Sequence, residues 1–375
     1  MISSAVTSPP SPGQAKAYNR VKLIIGITSS VLTFLLMVLL VTSGYSRDLA
    51  AWASSVFADR YPALLLFTLA LGTVQGGISL PFAFVSGYIV EHRFRLSNQS
   101  VWRWGWEQMK GLFVTLPFAV GIVVLLFYSL DAYGTLWWLP VSVALTLLSV
   151  ILARLAPVLI MPMFYTFTPV SEGSMRDRIL RLCESAGLTI EGIFTFNLSK
   201  NTRKANAGFT GLGKSKRIIL GDTLIREFTE DEIETVFAHE LGHYRYRHIT
   251  IGILVGTLST FIGLFITAQL HAWSLVRLGF SSLTDLGALP LLAIWLSLFG
   301  LCTAPLGNLL SRRHERQADA YAVERTGNAA AFSSALRKLA ETNLADPEPH
   351  PLVEFLLYSH PSIGRRIRAV ESMGG

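Results

Sequence analysis

Six apolar stretches, each long enough to cross roughly 30 Å of hydrocarbon, constrain this chain more than any other feature. They lie near residues 21–43, 61–90, 111–130, 136–160, 249–276 and 286–310. The stretches 61–90, 111–130 and 286–310 carry no charged residue, and Lys22 and Arg154 sit near ends where their heads can snorkel out. Composition agrees. Soluble domains carry roughly 25% charged residues, whereas this chain of 375 has 15% charged and 51% hydrophobic residues. An integral membrane protein is expected, not a soluble domain or a disordered chain. The second stretch is overlong and holds Gly76, Gly77 and Pro81, which leaves one kinked span or two short ones open. The first exceeds the h-region of a signal peptide, so the chain is expected to keep it.

Lys and Arg set the orientation. Lys16 and Arg20 precede the first span, and Arg93, Arg95, Arg103 and Lys110 lie between the second and third. The alternate loops are poor in basic residues: 44–60 and 277–285 balance theirs with Asp, and 131–135 has none. The positive-inside rule then puts both termini, and the polar segment between spans four and five, in the cytoplasm. The net charge of +7 reads as loops facing anionic lipid rather than as a nucleic-acid footprint. The two cysteines, Cys183 and Cys302, form neither a disulfide framework nor a Cys-x-x-Cys metal knuckle. A bound metal would therefore use His and carboxylate ligands.

The organisation read from this pattern is a disordered tail over 1–20, a membrane region with four spans over 21–160, a polar segment over 161–248, two further spans over 249–310, and a second polar segment over 311–375. The two polar segments together suffice for one compact domain. Within the first, a helix is expected around 173–186 with Gly187 as its stop. A strand at 192–198, an extended stretch at 205–210 and a strand at 216–221 follow, the last two joined as a hairpin through Gly211-Leu-Gly213.

The chemistry concentrates at His239-Glu240-Leu241-Gly242-His243. Thr229 and Glu232 form a capping box at the start of that helix, and Ile233, Val236 and Phe237 recur at helical spacing. Residues i and i+4 share a helix face, so His239 and His243 can offer two imidazoles to one zinc ion, while Glu240 can reach an attacking water as general base. The plainer alternative is a capped helix with two incidental histidines. A catalytic zinc takes a third protein ligand. Glu315 and Asp319, again i and i+4 after the sixth span, can supply that ligand and a carboxylate to hold a ligand imidazole. Arg312, Arg313 and Arg316 also suit a merely solvated helix end, and His314 and Glu324 remain open as rival third ligands.

His239–His243 followed by Glu315-Arg-Gln-Ala-Asp319 resembles the zinc signature of the membrane CaaX prenyl protease type I family. Further ordered matches to that family are Leu80-Pro81-Phe82 with Glu91 and Phe94, Met161-Pro162-Met163-Phe164, Asn206 to Gly211, Ser215 to Ile218 with Asp222-Thr223-Leu224, and Tyr358-Ser359-His360-Pro361 with Arg366. The resemblance implies that Glu240 is the catalytic base, that His239, His243 and Glu315 hold one Zn²⁺ per chain, and that Asp319 supports a ligand or donates a proton. It further implies that Asn206 binds substrate backbone from an edge strand, and that His360 and Arg366 face the substrate near the scissile bond or its terminal carboxylate. By themselves these three residues read as a turn Asn, a capping His and a membrane-surface Arg. Against the family's usual seven spans six are expected here, the missing one being expected at the N-terminal end.

The expected fold is therefore a predominantly α-helical multi-pass membrane protein with six spans and a cytoplasmic-face, zincin-like α+β metalloprotease domain built from two chain segments. The expected activity is zinc-dependent endoproteolysis at the inner membrane face, on a peptide or protein substrate prenylated at its C-terminus as the resemblance implies. The membrane would be the inner membrane of a bacterium or the endoplasmic reticulum of a eukaryote. Two alternatives stand beside it: a membrane-protein quality-control protease, which uses the same chemistry, and a zinc transporter or sensor. The latter needs ionisable residues within the spans, where only His271 qualifies.

Overall fold

The computed structural model describes residues 12–188, 190–210 and 217–374. Helices α1 (Pro12–Thr42), α2 (Tyr45–Val56), α3 (Arg60–Arg93), α4 (Val101–Tyr133) and α5 (Trp138–Phe164) come first. Four of these five are long and apolar enough to span a membrane, and α2, with 12 residues, is not. The second apolar stretch is one continuous helix. Past Pro81, whose missing N–H loosens the ladder, it widens into a π-helical turn over Val85–Val90 before closing at Arg93.

The tail expected over 1–20 is helical across its described part, 12–20. Tertiary contacts hold it: the Asn19 amide donates to the Leu344 carbonyl at 2.7 Å, and the Tyr18 hydroxyl donates to Glu91 at 2.6 Å. Charge pattern alone could not reveal partners so distant in sequence. The rest of the Ser/Pro-rich start lies outside the described residues.

After α5 the chain builds a four-stranded sheet from β1 (Phe167–Pro169), β2 (Gly192–Phe196), β3 (Ala207–Thr210) and β4 (Arg217–Gly221). The strand order is β1-β2-β4-β3, with β2 and β4 parallel and the outer pairs antiparallel. Of the hairpin expected between 205–210 and 216–221, antiparallel pairing is present over Ala207–Thr210 and Arg217–Leu220, with Ala207 opposite Leu220. The expected strand 192–198 stops at Phe196, because Leu198–Lys200 wind into a 3-10 turn. The turn Gly211-Leu-Gly213 lies outside the described residues. Helix α6 (Ser174–Ser185) crosses over between β1 and β2, and Gly187, at φ 64°, provides the left-handed stop after it.

The remaining helices are α7 (Asp222–Glu227), α8 (Glu230–Arg245), α9 (His248–Leu278), α10 (Leu289–Thr326), α11 (Ala329–Asn343), α12 (Pro351–Leu357) and α13 (Ile363–Met373). Helices α9 and α10 complete the six apolar spans. At 38 residues, α10 runs about 57 Å, so its C-terminal turns leave the apolar bundle and enter the polar domain. One core joins both polar segments: Ile179, Ile218, Phe237 and Leu241 pack with Tyr321, Ala322, Phe332 and Val370. Neither segment closes that core alone, which explains how a domain can be interrupted by two spans.

Candidate metal centre

Helix α8 begins at the expected capping box: Thr229 accepts from the Glu232 amide, and the Glu232 carboxylate accepts from the Thr229 amide at 2.8 Å. The start of the helix is thereby set, and with it the face that carries His239 and His243. Gly242 presses that face against α10. A Cβ there would lie 2.9 Å from Ala318 Cα and 3.2 Å from Tyr321 Cβ, so only glycine permits this approach. The close approach brings Glu315 to the histidines.

His239 Nε2 and His243 Nε2 are 3.2 Å apart. Glu315 Oε1 is 3.2 Å from His243 Nε2, and Oε2 is 3.5 Å from His239 Nε2. Tetrahedral zinc with bonds of roughly 2.0–2.1 Å holds neighbouring ligand atoms ~3.3–3.4 Å apart, so the three groups already stand at the spacing such an ion requires. Glu315 Oε2 is buried without a hydrogen-bond partner, a costly state for a carboxylate oxygen that a cation would relieve. The residues present fit a metal ion.

Asp319 lies behind these three side chains. Its Oδ1 is 2.8 Å from His239 Nδ1, which directs the other ring nitrogen, Nε2, toward Glu315 and His243. Burial opposes a charge on His239, but the Asp319 and Glu315 carboxylates outweigh it and raise the imidazole to about 9 in the metal-free protein. Arg366 donates to Asp319 from Nε at 3.0 Å and from Nη2 at 2.6 Å, and its Nη1 lies 3.5 Å from Glu315 Oε2.

A cleft of about 400 Å³ opens over the centre, and Asn206, His239, Glu240, His243, Glu315, His360 and Arg366 all line it. Apart from Asp319 behind the wall, the residues to which the family resemblance gave a role thus meet in one place. Asn206 stands at the head of β3, an edge strand of the sheet, with its carbonyl bonded to the Gly221 amide at 2.8 Å. His360 Nε2 reaches to 3.4 Å from Glu315 Oε1. Phe332, Leu336 and Leu339 of α11 give the cleft an apolar side.

Neither rival third ligand joins the cluster. Glu324 is exposed, and His314 stacks on His248 with ring centroids 3.9 Å apart. His248 itself was not singled out from the sequence. It follows the signature by five residues, and its ring meets His243 only because the chain turns at Arg247. Among the described residues His239, His243 and Glu315 form the one group of this kind. His271 is fully buried in α9 and belongs to no such group among the described residues.

Apolar spanning helices joined to a domain with two histidines, two carboxylates and an edge strand around one cleft define a membrane-embedded metalloprotease. The sequence comparisons agree with that class. Residues 169–374 match the family model of peptidase family M48, and residues 7–166 match that of the CAAX prenyl protease N-terminal region, described as five membrane helices. The chain is 29% identical over 362 residues to the uncharacterized metalloprotease YhfN of Bacillus subtilis, covering 95% of this chain and 84% of that protein. It is 32% identical over 329 residues to CAAX prenyl protease 1 of Saccharomyces cerevisiae, covering 82% and 72%. The crystal structure of S. mikatae Ste24p superposes with a TM-score of 0.84 at 26% identity, covering 98% of this chain and 93% of that one. The chain belongs to peptidase family M48 and is an integral-membrane metalloendopeptidase.

Proposed function

We propose that this metalloendopeptidase uses zinc, works at the cytoplasmic face of its membrane, and cleaves near the C-terminus of prenylated proteins. The observation that carries this reading is the single cleft lined by the donor set, Glu240, Asn206, His360 and Arg366 at the end of an apolar helix bundle. Relatives named CAAX prenyl protease 1 support the substrate class.

In this reading His239, His243 and Glu315 hold the ion. Bound there, zinc would supply Lewis-acid activation of water and of the scissile carbonyl. Glu240 takes the proton of the attacking water and passes it to the leaving amine. Asp319 holds the His239 ring in the tautomer whose Nε2 is free to ligate. Asn206 and β3 receive the substrate as an added strand, because an edge strand offers unpaired backbone groups. His360, exposed at the cleft mouth, contacts the residues beside the scissile bond. Two of Arg366's nitrogens are committed to Asp319, so Nη1, which lies 3.5 Å from Glu315 Oε2, is the nitrogen that would meet a substrate carboxylate. The basic loops support a cytoplasmic position for the whole domain.

The test compares wild type and Glu240→Gln, purified in detergent, on a peptide with and without a C-terminal prenyl-cysteine. Wild type is expected to hold one zinc per chain and to cut the prenylated peptide preferentially; Glu240→Gln is expected to hold zinc and cut neither. Cleavage by Glu240→Gln at the wild-type rate would remove the general-base assignment. Equal rates on both peptides would remove the prenyl requirement.

A further inference from the structure

The second ligand imidazole, His243, has its own support, built differently from the Asp319 that holds His239. His243 Nδ1 is 3.0 Å from His248 Nδ1, and His248 Nε2 is 3.1 Å from Gln317 Oε1. The chain of donors has only one consistent direction. His243 must keep Nε2 free on the metal side, so its proton is on Nδ1. That proton is donated to His248, whose Nδ1 must then carry the lone pair. His248 is left with its proton on Nε2, which the Gln317 amide oxygen accepts. Each group in the chain uses the one polarity it has available.

Local backbone geometry makes the contact. On an unbroken helix residues i and i+5 point about 140° apart, so His248 could not reach His243. The helix is broken: Arg247 takes a left-handed conformation at φ 55°, α9 starts afresh at His248, and the His248 ring turns back toward the metal centre. A non-glycine residue in that conformation is uncommon and costs energy, which a functional contact would justify. The ring is then clamped. It is 6% exposed, stacks on His314 at an interplanar angle of 10°, and lies near Tyr246.

Building on the zinc-site reading above, we propose that His248 and Gln317 are positioning residues for His243, fixing its tautomer and ring orientation through a chain of neutral hydrogen bonds. A carboxylate does this for His239. On the His243 side an imidazole and an amide do it without adding a further negative charge beside Glu315.

The experiment is a zinc titration of the metal-free, full-length protein against a competing chelator, with the thermal stability of the same metal-free samples as a control and the visible spectrum of the cobalt-loaded form as a report on ligand geometry. His248→Phe keeps an aromatic ring against His314 but offers no acceptor. It is expected to weaken zinc binding about 10–100-fold and to alter the cobalt spectrum, with little change in metal-free stability. His248→Asn, whose amide oxygen can take the place of Nδ1, is expected to recover most of that loss. Gln317→Leu breaks only the outer link and is expected to weaken binding less than His248→Phe; it also serves where the Phe variant does not fold. Wild-type zinc affinity in both His248→Phe and Gln317→Leu would overturn the proposal. So would a His248→Asn variant no better than His248→Phe, since packing alone would then explain the loss. A wild-type protein that binds no zinc would overturn the zinc-site reading itself, and that outcome is distinct from either.

Discussion

Arg366 and Asp319 face each other through two near-parallel hydrogen bonds, Nε to Oδ2 at 3.0 Å and Nη2 to Oδ1 at 2.6 Å. Burial opposes the charge on Arg366, and the nearby carboxylates of Asp319 and Glu315 outweigh that and hold it protonated. The same Oδ1 lies 2.8 Å from His239 Nδ1. The guanidinium fork thus orients the carboxylate, and the carboxylate orients the imidazole. A planar fork can do this where an ammonium cannot.

Asp319→Asn tests the inner link. The amide keeps the shape and can still accept, but it carries no charge and deprives the buried Arg366 of its bidentate carboxylate partner. Zinc affinity is expected to fall about 10–100-fold, with much of the activity lost and full occupancy restored at saturating metal. Metal titration beside a cleavage assay measures both. Unchanged affinity with no activity would instead make Asp319 a direct proton donor. Full activity would leave Asp319 as a structural partner of Arg366 with no part in the metal centre.

Gly242→Ala tests the approach of α8 to α10. The new methyl would meet Ala318 Cα at 2.9 Å, backbone that cannot rotate aside. Overpacking of this kind costs about 1–3 kcal/mol, and the relief available is to push the histidine helix away from Glu315. Lower thermal stability and zinc loss are expected together. A variant that is destabilised but binds zinc normally would show that the contact supports the fold without setting ligand spacing.

How much of this was legible in the sequence depended on whether the partners share an element. His239 with His243, and Glu315 with Asp319, are pairs one helical turn apart, and spacing alone puts each pair on one face. Asn206, His360 and Arg366 carry no such pattern, and only resemblance brought them forward. The Arg366–Asp319 fork joins residues 47 positions apart, so no local periodicity encodes it. His248 was overlooked because a five-residue interval is wrong for a continuous helix, and nothing in Tyr246-Arg247 marks a left-handed turn as Gly or Asn would. In the sheet, the strands β2, β3 and β4 were visible in part, but the parallel pairing of β2 with β4 depends on packing, and β1 has only three residues.

Arg312→Met tests the loop that carries His360. Arg312 is buried, and its Nη1 donates to the carbonyls of Tyr358 at 2.6 Å, Glu354 at 3.0 Å and Phe355 at 3.4 Å, closing the C-terminal end of α12. Its position on α10 ties the His360 loop to the same helix that bears Glu315. Methionine fills comparable space but leaves those carbonyls without their donor. KM for peptide is expected to rise severalfold with zinc content unchanged, read by steady-state kinetics and elemental analysis. A lost metal with unchanged KM would place the role of Arg312 in the metal centre.

The last prediction concerns acid. Glu232, 3% exposed, accepts from the Thr229 amide at 2.8 Å, from the Ser334 hydroxyl at 2.6 Å and from Lys338 at 2.7 Å. Burial pushes its pKa up, but Lys338 and these hydrogen bonds prevail and hold it below the ordinary value of 4.5. A carboxyl whose folded pKa is depressed stabilises the fold fully above its unfolded value, and that contribution disappears as pH falls through the folded one. Helix α8, which Glu232 caps, should therefore lose stability progressively below about pH 4.5. Glu232→Gln should be less stable at neutral pH by about 0.5–2 kcal/mol, the range for a lost cap, and should show a shallower decline in acid. Thermal melts of the metal-free protein from pH 7 to pH 3.5 measure this without interference from zinc release. Parallel declines in wild type and variant would assign the acid sensitivity to other carboxylates.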